Sequence, residues 1–184
     1  HIGTLVTAIE PAASVLFDWA LEVSELAPII FDPNIRPAVI PDRDKYRAQV
    51  EKWVSISAVV KVSEDDIAWL YPDRDDVEVA KEWIVNDVSI VVITRGANGL
   101  VGVTRTGVYT VPGFKVEVVD TIGAGDTVGA VIAEAVNQIG LDDLDDGALL
   151  VSLEKAARAA AYTCTKKGAQ PPTVKELGDI SAIY

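Results

Sequence analysis

Three short apolar runs constrain the fold of this chain more than anything else in it: PIIFD (28–32), SAVVKV (57–62) and SIVVIT (89–94). None alternates polar with apolar, as a strand with one wet face does, so each reads as a strand covered on both sides. The intervals between them are helical. Glu10 to Leu26 has helical spacing, with Pro11 suited to the first turn and Val15, Leu16, Trp19 and Leu26 forming an apolar stripe. A polar, proline-punctuated loop, DPNIRPAVIPD, then leads to a helix expected over roughly 43–55. Ser63 followed three residues later by Asp66 matches a capping box and opens a helix through Leu70, and 76–86 reads as a weaker helix. Short strands alternating with helices mean βαβ units. The expected fold class is therefore α/β, a three-layer α/β/α sandwich around a mainly parallel sheet.

After the third run comes the turn GANG (96–99). LVGVT (100–104) and VYTV (108–111) alternate on either side of RTG and read as a hairpin. KVEVVD (115–120) is expected as a further short strand, and DTIGAGD leads into a helix from Asp126 to Ile139, stopped by Gly140. A helix over roughly 146–163 and a Gly/Pro-containing tail follow. No internal repeat, low-complexity tract or linker interrupts the 184 residues, so one domain is expected.

Composition removes several function classes. The net charge of −12 argues against nucleic acid, whose phosphates need Lys and Arg patches, but not against a nucleotide, which needs only a few local donors. The one histidine is His1, which excludes a Ser-His-Asp triad or a histidine-rich zinc site. No stretch approaches the ~18–20 apolar residues of a membrane span. HIGTLVTAIEP lacks the features of a secretory signal, and the single cysteine, Cys164, allows no internal disulfide; the cytoplasm is the expected compartment. With no methionine, the chain is expected to be part of a longer product.

The segment with chemical content is Asp120-Thr121-Ile122-Gly123-Ala124-Gly125-Asp126-Thr127, where a strand is expected to end and a helix to begin. Gly123 and Gly125 let the backbone aim successive N–H groups at one point. Those amides are also the unpaired donors of the helix start, whose dipole favours an anion. Such a pocket stabilises a phosphoryl group in transfer, and Asp126 beside it is placed to take a proton from an attacking alcohol. A plain tight turn with Asp126 as N-cap is the structural alternative. The glycines at 123, 125 and 129 miss the dinucleotide spacing GxGxxG, and no GK[ST] follows as in a P-loop.

DTIGAGDTVGA resembles the C-terminal signature of the ribokinase-like (PfkB-type) carbohydrate kinases, DTxGAGD, at every fixed position. Four other segments agree in order and spacing. FDPNIRP (31–37) resembles the family's D-x-N-x-R segment, closest to fructokinases and 2-keto-3-deoxygluconate kinases. VVKVSEDD (59–66) occupies the place of its N-x-x-E segment. VVITRGANG (91–99) is similar to its T-x-G-x-x-G nucleotide turn, and CTKKGAQPP (164–172) to the end of its adenine pocket.

The resemblance implies ATP-dependent phosphorylation of a sugar hydroxyl. Asp126 would be the base and Gly123, Ala124 and Gly125 the anion hole. Thr94, Arg95, Gly96 and Gly99 would border the phosphates and ribose, with Cys164 and Gly168 flanking the adenine. Arg36, with Asp32 and Asn34 behind it, would lie near the transferred phosphate or the sugar. Ser63 and Asp66 stand where the family has N-x-x-E and would serve Mg²⁺, Asp66 through water. A monovalent cation beside Asp120 and Ile122 is a further implication. Lys61 is open between reaching nucleotide phosphates and plain solvation at a strand end. Ala157 replaces a nucleotide-side asparagine of ribokinase, which points away from ribokinase proper.

On the same resemblance, residues 1–184 are the C-terminal, ATP-binding and catalytic portion of one ribokinase-like domain. The chain would begin inside the central sheet at HIGTL, without the N-terminal part and lid through which family members often dimerise. The implied partners are ATP, a small sugar and a second copy through that lid. A nucleoside or other small-alcohol kinase of the same fold, and a catalytically inert nucleotide-binding fragment, stand as alternatives.

Overall fold

Apolar runs without alternation need cover on both faces, and the computed structural model, which describes residues 1–86 and 88–180, places all three as buried strands. Two compact units result: residues 1–93 with 103–108, and residues 94–102 with 109–184.

In the first unit, β1 (Ile2–Gly3), β2 (Ile30–Asp32), β3 (Val59–Ser63) and β4 (Ile90–Thr94) are neighbours in that order. β1 and β2 are parallel with Ile2 opposite Phe31, and β2 and β3 are parallel with Ile30 opposite Val59. The helices are α1 (Ala12–Ser24), α2 (Arg43–Val54), α3 (Glu64–Leu70) and α4 (Asp76–Val85). Each of the last three starts on a side-chain cap: Asp42 accepts from Lys45 N, Ser63 from Asp66 N, and Asp75 from Val77 N and Glu78 N. The core centres on Trp53, which stacks on Phe31 at 5.9 Å, meets the Phe17 edge at 5.2 Å and donates its indole N–H to the Thr7 carbonyl. The expected stripe on α1 is wrong: Val15, Trp19 and Leu26 are exposed, whereas Ala13, Phe17 and Ala20 are buried. Two alanines let the helix approach closely, and a count of bulky residues points to the opposite face.

The second unit holds the hairpin strands β5 (Leu100–Val103) and β6 (Val108–Val111), then α5 (Ala124–Ile139), α6 (Asp146–Cys164) and α7 (Val174–Ile180). α5 and α6 bury Val128, Val131, Ile132, Leu149, Leu153 and Ala156, and the Thr127 and Thr163 hydroxyls meet at 2.9 Å in that interior. The expected strand at 115–120 does not form. The Val119 and Asp120 amides both donate to the Cys164 carbonyl at the end of α6, so a helix terminus takes the place of a strand partner. α7 is not anticipated by the pattern, whereas β1 lies where the resemblance has the chain begin, inside the sheet at HIGTL. α7 nonetheless carries its own signature: Thr173 and Glu176 exchange the two bonds of a capping box. Among the described residues no helix is long and apolar enough to cross a membrane.

Glu176 fastens α7 to α6, because Tyr162 donates its hydroxyl to the same carboxylate that caps the helix. The Tyr162 hydroxyl, with the Thr173 amide and hydroxyl, lowers the Glu176 carboxyl to about 2. A depressed carboxyl stabilises the fold above its unfolded value and loses that contribution as pH falls through the folded one. Glu176→Gln is therefore expected to melt at a lower temperature than the parent at pH 7, with the gap closing as the melts are repeated toward pH 2. An equal gap at both ends of the range would remove the carboxylate from the account.

Candidate active site

A cavity of about 470 Å³ lies within the second unit. Its walls come from the turn after β4 (Thr94, Gly96, Gly99), from Phe114, Val116 and Val118, from the α6 face Ala157, Ala160, Ala161 and Cys164, and from the start of α5 (Ala124, Gly125, Val128). The lining is mostly apolar, with Lys115 between Phe114 and Val116 and threonines at Thr94 and Thr121, a composition typical of a small-molecule site. The turn after β4 is held by Arg95 N donating to the Gly99 carbonyl, with Gly99 at φ 96°; a Cβ there would lie 2.1 Å from the Val111 carbonyl oxygen.

At the other end, α5 opens on Gly123 in the left-handed region, φ 81°. Ala124 N donates to the Thr121 carbonyl, and Thr127 N returns to the Gly123 carbonyl. No partner among the described residues takes the Gly125 and Asp126 amides, which are left as the free donors of the helix start. Of the residues expected at the anion hole, Ala124 and Gly125 line the cavity; the Ala124 N–H is spent on the turn, whereas Gly123 N, like Gly125 N and Asp126 N, has no partner among the described residues. Asp126 itself is the third residue of the helix, not its N-cap. Its side chain is exposed, and no hydrogen bond or ion pair engages its carboxylate among the described residues.

Asp120 secures the approach to this turn. One carboxylate oxygen accepts from Ile122 N at 3.1 Å and the other from Gly168 N at 2.9 Å, and these amides hold the carboxyl below the usual range. Of the residues expected at the nucleotide, Thr94, Gly96, Gly99 and Cys164 line the cavity; Arg95 and Gly168 support the walls from behind. Burial, then the Asp120 charge, pushes the Cys164 thiol up, which leaves it an inert wall group.

A second polar cluster belongs to the first unit. Asp32 and Lys61 form a buried ion pair at 2.8 Å, with relative exposures of 3% and 5%. Lys61 is thus neither solvated nor free to reach a phosphate, as the sequence left open. The other Asp32 oxygen accepts from Asn34 N at 3.1 Å, and Asn34 sits at φ 44°. Arg36 is exposed and turns one nitrogen back onto the Ile35 and Asn34 carbonyls. Ser63 and Asp66 cap α3 reciprocally, and the remaining Asp66 oxygen accepts from Ile35 N at 3.0 Å. Burial pushes the Asp66 carboxyl up, against the lowering by its Ser63 bonds. Each Asp66 oxygen thus holds one backbone amide, and the Ser63 hydroxyl accepts from Asp66 N. Among the described residues no group of three or more His, Cys, Asp or Glu is placed to hold a metal ion.

Sequence reasoning missed Phe114, Val116, Val118, Ala160 and Ala161 as cavity walls. Their signals were present, as an apolar residue at every second position of 114–118 and an alanine-rich face on α6.

The model of the pfkB family carbohydrate kinases matches residues 1–176. The fructokinase of Rhizobium leguminosarum bv. trifolii is 37% identical over 129 residues, 70% of this chain and 39% of the relative. Among solved structures, fructokinase with bound ATP from Xylella fastidiosa superposes with a TM-score of 0.88 at 25% identity, covering 98% of this chain and 60% of that one. A fructokinase double mutant from Vibrio cholerae O395, in fructose-, ADP- and potassium-bound form, gives 0.86 at 26% identity, covering 98% and 59%. The α/β architecture expected from the strand pattern is the fold of these kinases. The chain spans about 40–60% of the length of these relatives.

Gly123 meets two constraints at once. A Cβ there would lie 2.8 Å from the Ala169 Cβ, and φ 81° disfavours any L side chain. Gly123→Ala is expected to destabilise the protein by about 1–3 kcal/mol in denaturant unfolding. Adding Ala169→Gly should restore the part owed to collision and leave the backbone part. Full restoration, or none, would contradict this division.

Proposed function

This chain belongs to the pfkB family of carbohydrate kinases, and from that premise we propose that the whole protein transfers the terminal phosphoryl group of ATP to a hydroxyl of a sugar of the fructose class. Residues 1–184 are read as its ATP-binding and catalytic portion. One observation carries the proposal: among the described residues Gly125 N, Asp126 N and the Asp126 carboxylate take no partner, and they stand in the first turn of α5, where Ala124 and Gly125 line an apolar cavity. The fructokinases among its relatives support fructose as the acceptor over a nucleoside.

The apolar cavity takes the base, and the turn at Thr94, Gly96 and Gly99 borders the ribose and phosphates. The Gly125 and Asp126 amides, with the dipole of α5 behind them, stabilise the charge that spreads over the phosphoryl oxygens in transfer. Gly123 contributes the left-handed turn that aims them. The attacking hydroxyl gives its proton to Asp126. A carboxylate is a weak base for an alcohol, but the transition state is largely dissociative, so placement counts for more than base strength. Arg36 supplies a second positive group for the transferred phosphate or the sugar, as the family resemblance implies. A divalent ion bound with the nucleotide would neutralise its phosphates; Ser63 and Asp66 are not assigned to it. The monovalent cation beside Asp120 and Ile122 and a cytoplasmic location remain part of the same proposal, as does dimerisation through the lid.

Asp126→Asn keeps the shape and removes the base. In the whole protein, with fructose as acceptor, it is expected to lower kcat by about 10²–10⁴-fold while the ATP dissociation constant stays within about threefold. Turnover near the parent rate would remove Asp126 from the role.

A further inference from the structure

We propose that Asp66 is a positioning residue for Arg36, acting through the backbone of residues 34–36 together with the buried Asp32–Lys61 pair. The inference rests on the kinase reading above for the role of Arg36.

Two consecutive amides of this short loop are held by two carboxylates from different elements. Asn34 N donates to Asp32 at the end of β2, and Ile35 N donates to Asp66 in the first turn of α3. Each carboxylate is itself fixed on its second oxygen, Asp32 by the Lys61 ammonium and Asp66 by Ser63 N. The peptide so held contains the Ile35 carbonyl, which accepts from Arg36 Nη1 at 2.9 Å, and the Asn34 carbonyl accepts from the same nitrogen at 3.3 Å. Ile35 is buried at 4% exposure, which anchors the loop from its apolar side.

Of the five N–H donors of a guanidinium, those on Nη1 are thus engaged with the loop, on a residue that is exposed. An arginine on an exposed loop ordinarily samples many rotamers. This one is tied at one nitrogen to a backbone that two carboxylates hold, so little freedom is left to lose when an anion binds. Asn34 at φ 44° fits the same account, because an asparagine accepts the left-handed region that a β-branched residue resists. Residue 66 can hold Ile35 N only while it presents an acceptor oxygen there.

The test compares Asp66→Ala, Arg36→Ala and the double variant in the whole protein, following kcat, KM for ATP, the Mg²⁺ concentration for half-maximal rate, and amide hydrogen exchange over the peptide containing Ile35. Asp66→Ala is expected to lower kcat by about 10–100-fold, with KM for ATP and half-saturating Mg²⁺ each within about twofold. Ile35 exchange should accelerate at least tenfold. In the Arg36→Ala background the same change should cost less than about twofold, because its effect passes through Arg36. A tenfold rise in half-saturating Mg²⁺ with unchanged Ile35 exchange would make Asp66 a metal ligand and overturn the proposal, as would losses that multiply in the double variant. Should Asp66→Ala fail to fold, Asp66→Asn, which keeps an acceptor for Ile35 N, should protect that amide as the parent does; rapid exchange there would overturn the clamp. A parent protein that phosphorylates no sugar would refute the kinase reading, while the Ile35 exchange would still decide the clamp.

Discussion

The first N–H groups of a helix find no acceptor within that helix, and the second unit of this protein is arranged around that deficit. In α5 the Ala124 amide is used to close the preceding turn, which leaves Gly125 N and Asp126 N without a partner among the described residues. Gly123 bends the chain so that they face away from the turn, and Asp120 holds the segment before it onto the 164–168 loop. Removing either support would leave the helix intact and the amides without a direction. The cavity, the proposed phosphate contact and the placement of Asp126 all follow from that one terminus.

The first unit solves a different problem. Asp32 and Lys61 are both out of water, and burial of two charges is repaid only when every remaining polar contact is made. The two charges meet at 2.8 Å, and the second Asp32 oxygen goes to a backbone amide. Breaking such a pair from one side typically costs about 3–5 kcal/mol, so it is poorly explained as stabilisation alone, since an apolar pair would serve as well. Its position, from the last residue of β2 to the middle of β3, holding the loop that carries Arg36, gives it a reason to be charged.

Much of the architecture was legible because its signals are local. The unalternating runs became β2, β3 and β4, the Ser63–Asp66 pair became the cap of α3, and Gly140 ended α5. The misreadings share one cause. The α1 stripe was judged by residue bulk, but the face that packs is the one with alanines beside Phe17. The strand expected at 115–120 has the right composition and no strand to pair with, because its amides go to the end of α6. α7 was passed over although Thr173 and Glu176 spell its cap.

Legible along the chain were the three buried strands, α2 to α6 and the segment from Asp120 to Thr127 as the one with chemical content, since glycine freedom and helix capping act over a few residues. Only the tertiary structure decided that Lys61 is paired with Asp32, that Asp66 reaches across 31 residues to Ile35, and that the Ala124 amide is already taken. A buried charge or a carboxylate chooses its partner by distance in space, and that distance exists only once the chain has packed.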